Sequence, residues 1–293
     1  SPISVSQYLA PESIQFDLVI MDEASQIKPV DALGAILRTE QVVIVGDSKQ
    51  LPPTSFFDKL LIGEEESEEE MTAISGTESI LQIASGAFDN KLLRWHYRSE
   101  HENLIRFSNE KFYDDQLIVC ISPFANGDEL GINSNFINNG KYKKGLNRIE
   151  GLAVVNKIED HFKKHPNLSL GVATFNKEQC DFISELLEKR CKESSYLEKL
   201  YKDFLDSEEP FFVKNLENVQ GDERDVIFIS TVYGPDPDTD KVFQRFGPIA
   251  GESGWRRLNV IFTRAKKRIE LFTSLRAADI REGTSRGVNS FRE

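Results

Sequence analysis

The residues best suited to chemistry come early. Asp22 and Glu23 close an apolar run, Asp17-Leu-Val-Ile-Met-Asp22-Glu23. Adjacent carboxylates at a strand end can divide labour. One holds Mg²⁺, which favours oxygen ligands and phosphate partners, and the other orients or deprotonates an attacking water. A solvated strand end is the plain alternative, and the next segment argues against it. A second apolar run, Gln41-Val-Val-Ile-Val-Gly46-Asp47, continues as Ser-Lys-Gln50-Leu-Pro-Pro53. There Gln50 can sense a terminal phosphate or a water, while Pro52-Pro53 fixes the backbone of the exit loop. Phe56-Phe57 beyond it can stack on a base or serve as a hydrophobic anchor. His161 and His165 stand four apart at helical spacing, which suits a shared metal. Beside Lys163 and Lys164 at a helix end, they fit better as cations complementing the helix dipole.

These groups need a frame to hold them. Both early apolar runs are β-branched and apolar on both faces, as strands of a covered parallel sheet are. Pro29 to Arg38 between them has the character of a crossover helix. The resulting βαβ unit puts its polar ends where open α/β sheets bind ligands. From Leu92 a second unit begins. Strand-like runs cover 169–174, 210–214, 225–230 and 268–273, and helical periodicity covers 101–112, 148–165 and 177–205, with a break near 193–195. Strands alternating with helices again imply a parallel sheet. The expected fold class is α/β, with units at 1–91 and 92–276, an acidic loop at 63–75 and an irregular tail at 277–293.

Composition sets the outer limits. The chain has 293 residues, 36 Lys+Arg against 48 Asp+Glu, and a formal charge of −12. Hydrophobic residues at 39% and charged residues at 29% describe an ordinary globular chain, neither disordered nor disulfide-rich. No apolar run approaches the roughly 20 residues that cross a bilayer, so no membrane partner and a cytoplasmic setting are expected. The three cysteines, Cys120, Cys180 and Cys191, are too scattered for a disulfide framework. The acidic balance speaks against nucleic acid only globally, because six carboxylates fall within Glu64–Glu70. Basic residues gather locally at Lys141-Tyr-Lys-Lys144 with Arg148, and at Arg256-Arg257 through Arg268.

In order along the chain, these motifs resemble those of superfamily 1 helicases. Asp22-Glu-Ala-Ser25 with Gly46-Asp-Ser-Lys-Gln-Leu-Pro-Pro53 resembles motifs II and III, and Leu93-Arg-Trp-His-Tyr-Arg98-Ser the stretch that opens the second motor domain. Gly171-Val-Ala-Thr-Phe is similar to motif IV, and Glu217-Asn-Val-Gln220-Gly-Asp-Glu223-Arg-Asp225 to motif V. Arg256-Arg-Leu-Asn-Val-Ile-Phe-Thr-Arg264-Ala-Lys-Lys is similar to motif VI, the most specific of the set. The nearest branch is the nonsense-mediated-decay-type (Upf-like) one, particularly its large bacterial members.

The resemblance implies a RecA-like, P-loop NTPase fold, with a complete second motor domain and the C-terminal part of the first. It also implies ATP and Mg²⁺ as cofactors. Asp22 would take Mg²⁺ and Glu23 would act on water. Gln50 would couple the terminal phosphate to nucleic-acid contacts. Arg98 and Arg264 would reach phosphates, with Arg264 as an arginine finger on a helix. Gly221, in the ATP site, would permit close backbone approach, and Glu223 would contact the ribose or phosphate side of the nucleotide. Thr174, Phe175, Asn215 and Asn218 would touch single-stranded DNA or RNA; the two asparagines stand where the family often has hydroxyl residues.

One expected part does not occur. A phosphate-binding loop, Gly-x-x-x-x-Gly-Lys-Ser/Thr, is nowhere in the sequence: Asn139-Gly140-Lys141 is followed by Tyr142, with Asn135 where the earlier glycine belongs. The chain is therefore expected to be a piece of a larger protein, lacking the N-terminal half of the first motor domain and inactive by itself. Its parent would be an ATP-dependent helicase or translocase. A RecA-like binding module without turnover is the alternative, as is the motor segment of a nuclease-helicase, suggested by Thr284-Ser-Arg-Gly-Val288.

Overall fold

A computed structural model describes residues 1–10, 13–53, 79–124, 129–283 and 285–293. The acidic run at 64–70, Phe56-Phe57 and Thr284 lie outside the described residues. The chain divides into two units, Ser1–Leu93 and Arg94–Glu293.

In the first unit, helix α1 (Pro2–Tyr8) is followed by β1 (Val19–Met21), α2 (Pro29–Ile36), β2 (Val42–Ile44) and α3 (Ile80–Ala87). Strands β1 and β2 pair in parallel, with Met21 opposite Ile44. Pro29 opens α2 where a missing N–H costs nothing, and Asp31 in the first turn suits the helix dipole. Ala32 and Ala35 present small side chains, so α2 packs closely on Met21, Ala24 and Ile80.

The second unit runs β3 (Trp95–His96), α4 (Asn103–Phe112), β4 (Ile118–Val119), β5 (Gly131–Phe136), α5 (Arg148–Lys164) and β6 (Leu170–Thr174). Then come α6 (Lys177–Glu193), α7 (Ser195–Leu205), β7 (Phe212–Asn215), β8 (Arg224–Ser230), α8 (Gly254–Phe262), β9 (Ala265–Thr273) and α9 (Arg286–Arg292). Its main sheet has five strands in the order β5-β9-β8-β6-β7, and every pair is parallel. Strand β6 is buried throughout, which is why it reads as an unbroken apolar run. Along β8, Val226 and Phe228 pack with α5, α6 and α7, while Ile227 and Ile229 alternate to the other face. Phe162 anchors that cluster, stacked on Phe204 at 4.3 Å and edge-on to Phe211 at 5.2 Å. Ser194 makes the expected helix break. It leaves helical geometry at φ −141°, and its side chain caps α7 by accepting from the Leu197 N–H.

The tail is not irregular. Helix α9 packs on α8, because Gly287 has no side chain: a Cβ there would lie 2.2 Å from the Ile249 carbonyl oxygen. The Arg286 guanidinium sits 4.2 Å from the Trp255 ring centroid, and Phe291 lies 5.3 Å from Phe175 and 5.7 Å from Phe246. Aromatic and cation–π contacts from distant parts of the chain thus order seven residues that have no strong local signal.

Candidate nucleotide and nucleic-acid site

The first unit gathers the early carboxylates at one sheet edge. Beyond the paired strands, the Val45 N–H donates to Met21 O at 2.7 Å and the Ala24 N–H to Val45 O at 2.9 Å. These bonds carry Asp22-Glu23 alongside Gly46-Asp47. Gly46 has to be small here, since a Cβ would come within 3.1 Å of the Ala24 and Ser25 nitrogens. Glu23 takes the left-handed conformation at φ 51°, ψ 37°, which costs a non-glycine residue about 1 kcal/mol. Local bonds offset that cost. The Glu23 N–H donates to Asp22 Oδ1 at 2.8 Å, and Gln26 Nε2 donates to Glu23 Oε2 at 3.2 Å. Both carboxylates are exposed. Gln50 Nε2 donates to Asp47 Oδ2 at 3.0 Å, while its buried Oε1 has no hydrogen-bond partner among the described residues. That orphaned acceptor, with exposed carboxylate oxygens on the same edge, suits a hydrated hard cation and a polyphosphate.

In the second unit, charges converge where β8 and β9 begin. The Glu100 N–H donates to Lys266 O at 2.8 Å, and His96 Nε2 meets Ser99 Oγ at 2.9 Å, docking the turn that carries Arg98. Arg98 Nε lies 2.7 Å from Glu223 Oε2, and Lys266 Nζ lies 3.4 Å from Glu223 Oε1. Lys266 also pairs with Glu209, and Lys267 reaches Asp225 at 3.3 Å. The Arg224 N–H donates to Arg264 O at 3.2 Å, so the ends of the fifth and sixth motifs are stitched together. Burial pulls the Lys266 ammonium down, but Glu209 and Glu223 hold it above the ordinary lysine range. Burial, then the Arg98 charge, lowers the pKa of His96. The Arg98–Glu223 pair is more than a third exposed, so it contributes at most about 1 kcal/mol and is readily exchanged for a ligand anion. Gly221 sits at φ +86° with open space around it, so its requirement for glycine is conformational.

Arg264 departs from expectation. It lies beyond the end of α8 rather than on it, and it is buried at 3% exposure. Its Nε donates to Val260 O and its Nη2 to Thr263 Oγ1, both at 2.9 Å. The guanidinium is folded back on the end of its own helix.

The four residues expected to touch a strand are placed unevenly. Thr174 is fully buried with its hydroxyl donating to Asn176 O at 2.6 Å, and Phe175 is fully buried among Tyr233 and Phe291. Neither side chain reaches solvent; they support the edge instead of lining it. Asn215 is the register partner of Thr174 at the end of β7, half-buried, with its Oδ1 unpaired. Asn218 is exposed.

His161, the first of the histidine pair, is structural. His161 Nε2 donates to Leu168 O at 2.9 Å, and burial pushes its pKa down to about 4. Among the described residues no cluster of three metal-ligating side chains occurs.

One functional-looking group was missed entirely. Glu150 is fully buried where β8 and β9 end. Its Oε1 accepts from Ser230 Oγ and the Val232 N–H, each at 2.7 Å, and its Oε2 from Ser274 Oγ at 3.0 Å and Asn147 Nδ2 at 3.3 Å. Burial nevertheless raises its pKa to about 7. It holds Val232 at φ 70°, a strained conformation for a β-branched residue. Asn147 at the N-cap with Glu150 three residues on is a capping-box spacing, a signal present in the sequence.

Two family models, each described as an AAA domain, match residues 77–275 and 3–57. An uncharacterized ATP-dependent helicase of Mycoplasma genitalium is 35% identical over 284 residues, covering 94% of this chain and 24% of that protein. Helicase sen1 of Schizosaccharomyces pombe is 26% identical, covering 88% of this chain and 14% of its own length. The DNA replication ATP-dependent helicase/nuclease dna2 of the same yeast is 26% identical, covering 89% and 19%. The chain thus spans a quarter or less of each of these relatives.

Proposed function

The chain belongs to the AAA-domain family of superfamily 1 helicases, and from that premise we propose that it is the C-terminal portion of a motor that couples ATP hydrolysis to movement along single-stranded DNA or RNA. The observation that carries this is the charge convergence where β8 and β9 begin. Arg98, Glu223 and Lys266 form an exchangeable ion cluster, stitched by the Arg224–Arg264 backbone bond to the arginine at the end of the sixth motif.

In this reading Asp22 holds Mg²⁺, which supplies charge neutralisation at the phosphates when bound. Glu23 takes the proton of the attacking water, its carboxylate steadied by Gln26. Gln50 offers its unpaired Oε1 to the water or to the terminal phosphate's hydration shell. Arg98 exchanges Glu223 for phosphate, and Arg264 stabilises transition-state charge. Such an arginine accounts for about 10³–10⁵ in rate in NTPases of comparable design. Asn215 and Asn218 take part in strand binding, with Thr174 and Phe175 as support. The phosphate-binding loop would come from a segment preceding β1 in a longer, cytoplasmic protein, and this portion alone would turn over poorly.

The test is ATP hydrolysis by the full-length protein with and without single strands. Stimulation by strands is expected, with Glu23→Gln and Arg264→Ala each abolishing turnover while the melting temperature of the first is unchanged. Wild-type turnover in Glu23→Gln would refute the assignment. A parent without strand-stimulated hydrolysis would favour a binding module that lacks turnover.

A further inference from the structure

The finishing edge of the second unit's sheet carries a groove that none of the motifs assigns. Its volume is about 400 Å³, and its lining includes Lys141, Lys143, Lys144 and Arg148 above an apolar floor of Leu146 and Ile149. Cations over an apolar floor suit an extended polyanion with flat hydrophobic parts: phosphates meet the rim, and sugars or bases lie on the floor. The position also fits, because open α/β sheets bind ligands beyond the ends of their strands. The lysines follow β5, and the facing loop follows β8.

That facing loop is the unusual feature. Asp236 Oδ1 accepts from the Asp238 and Thr239 N–H groups at 3.0 and 2.9 Å, which holds the turn in shape. From this turn Asp238 reaches Lys143 at 2.7 Å and Asp240 pairs with Lys141. Two of the groove's cations are therefore already covered by carboxylates of the same chain. The carboxylates are 69% and 79% exposed, so these are weak, screened pairs that a dense polyanion can displace.

We propose that this groove binds the phosphate backbone of a single nucleic-acid strand and that the 236–240 loop is an acidic latch competing for it. The inference rests on the strand-binding function proposed above and deepens it: Asp238 and Asp240 stand in for phosphates in the empty groove and withdraw when a strand arrives. Every bound strand then begins with an exchange of partners at Lys141 and Lys143, which lowers affinity and mutes its salt dependence.

The test measures fluorescence anisotropy of labelled oligothymidylate and oligouridylate with the whole chain, from about 50 to about 200 mM salt. Asp238→Asn with Asp240→Asn should tighten binding by about 3- to 10-fold, since two weak surface pairs are removed. It should also steepen the slope of log affinity against log salt by up to about 1.4, because two lysine–phosphate contacts on a single strand are no longer offset by breaking two salt-screened ion pairs. Lys143→Gln with Lys144→Gln should weaken binding and flatten that slope. All four positions are at the surface, so melting temperatures should be unchanged. If opening the latch leaves affinity and slope at wild-type values, the latch is wrong. If strands bind and neither double variant matters, the groove is wrong and the strand-binding function stands. If no oligonucleotide binds even with the latch opened, both fall. If polyglutamate of matched charge competes as well as the oligonucleotides, the groove reads an acidic protein and the nucleic-acid assignment is overturned.

Discussion

Replacing Glu150 with glutamine separates the cost of a buried charge from everything else that titrates in this chain. An acid whose folded-state pKa is raised takes up its proton in the folded state first, so protons favour folding. For Glu150, raised from 4.5 to about 7, that contribution is complete below pH 4.5 and is lost as the pH rises through 7. The full swing is roughly 3 kcal/mol, and roughly 2–3 kcal/mol of it falls between about pH 5 and about pH 8. Glutamine does not titrate. Its oxygen can keep the Ser230 and Val232 bonds while its amide donates to Ser274 Oγ, which leaves only Asn147 Nδ2 facing another donor. One mismatched bond costs about 1 kcal/mol. Glu150→Gln should therefore be less stable than wild type by about 1 kcal/mol near pH 4, close to it near pH 5, and more stable by about 2 kcal/mol near pH 8. Urea titration followed by tryptophan fluorescence reads this cleanly, because both tryptophans, Trp95 and Trp255, belong to the second unit. A stability difference that stays constant with pH would refute the reasoning, and with it the view that desolvation outweighs four hydrogen bonds at this carboxylate.

The remaining expectations follow from packing and burial. Gly287→Ala would place a Cβ 2.2 Å from Ile249 O; it should cost about 1–3 kcal/mol and shift Trp255 emission as α9 lifts from α8. His161 is neutral in the fold with its pKa near 4, so its contribution is present above about pH 6.5 and lost as the pH falls towards 4. His161→Phe should remove that acid-side loss, visible as a flatter urea midpoint over the interval. Glu270 is 4% exposed beside Arg268 at 3.4 Å and accepts from Asn135 Nδ2 at 2.8 Å. Glu270→Ala should cost about 1–3 kcal/mol in urea unfolding, because the buried Arg268 and the Asn135 amide each lose an acceptor. Phe162→Ala should cost about 3–5 kcal/mol through the cavity left among α5, α7 and the sheet.

What could be read from residue order was decided by how local each signal is. Strands β6 and β8 are legible because both their faces are covered, and an apolar run records that directly; β1 and β2 read the same way, yet Ile20 is 63% and Val43 46% exposed, so among the described residues the expected cover on both faces is not met there. Ser194 is legible because a cap acts within one turn. Strand β5 is not: Gly131-Ile-Asn-Ser-Asn-Phe136 has little strand character and is held by pairing to β9 and by the Asn135–Glu270 bond. Helix α9 depends on Trp255, Phe175 and Phe246, all far along the chain. The site divides in the same way. The motifs named Arg98, Glu223 and Arg264 separately, but no spacing says that Arg98 pairs with Glu223 or that Arg264 folds back on Val260. Thr174 and Phe175 look like contact residues in a motif, and only the sheet edge shows that they are buried.

Strand β8 links the two ends of the second unit in a way that has its own consequence. It begins beside Glu223 and the Arg98 cluster and ends at Ser230, with the latch loop following. Seven residues at about 3.3 Å each span roughly 20 Å of backbone, buried along almost all its length. From Val226 onward, beyond a register shift at its start, this central strand is close-packed and can serve as a rod between the two tips. If occupancy of the phosphate-facing tip draws the rod, the grip at the far tip changes. By reciprocity a strand held there must then alter nucleotide affinity by the same factor.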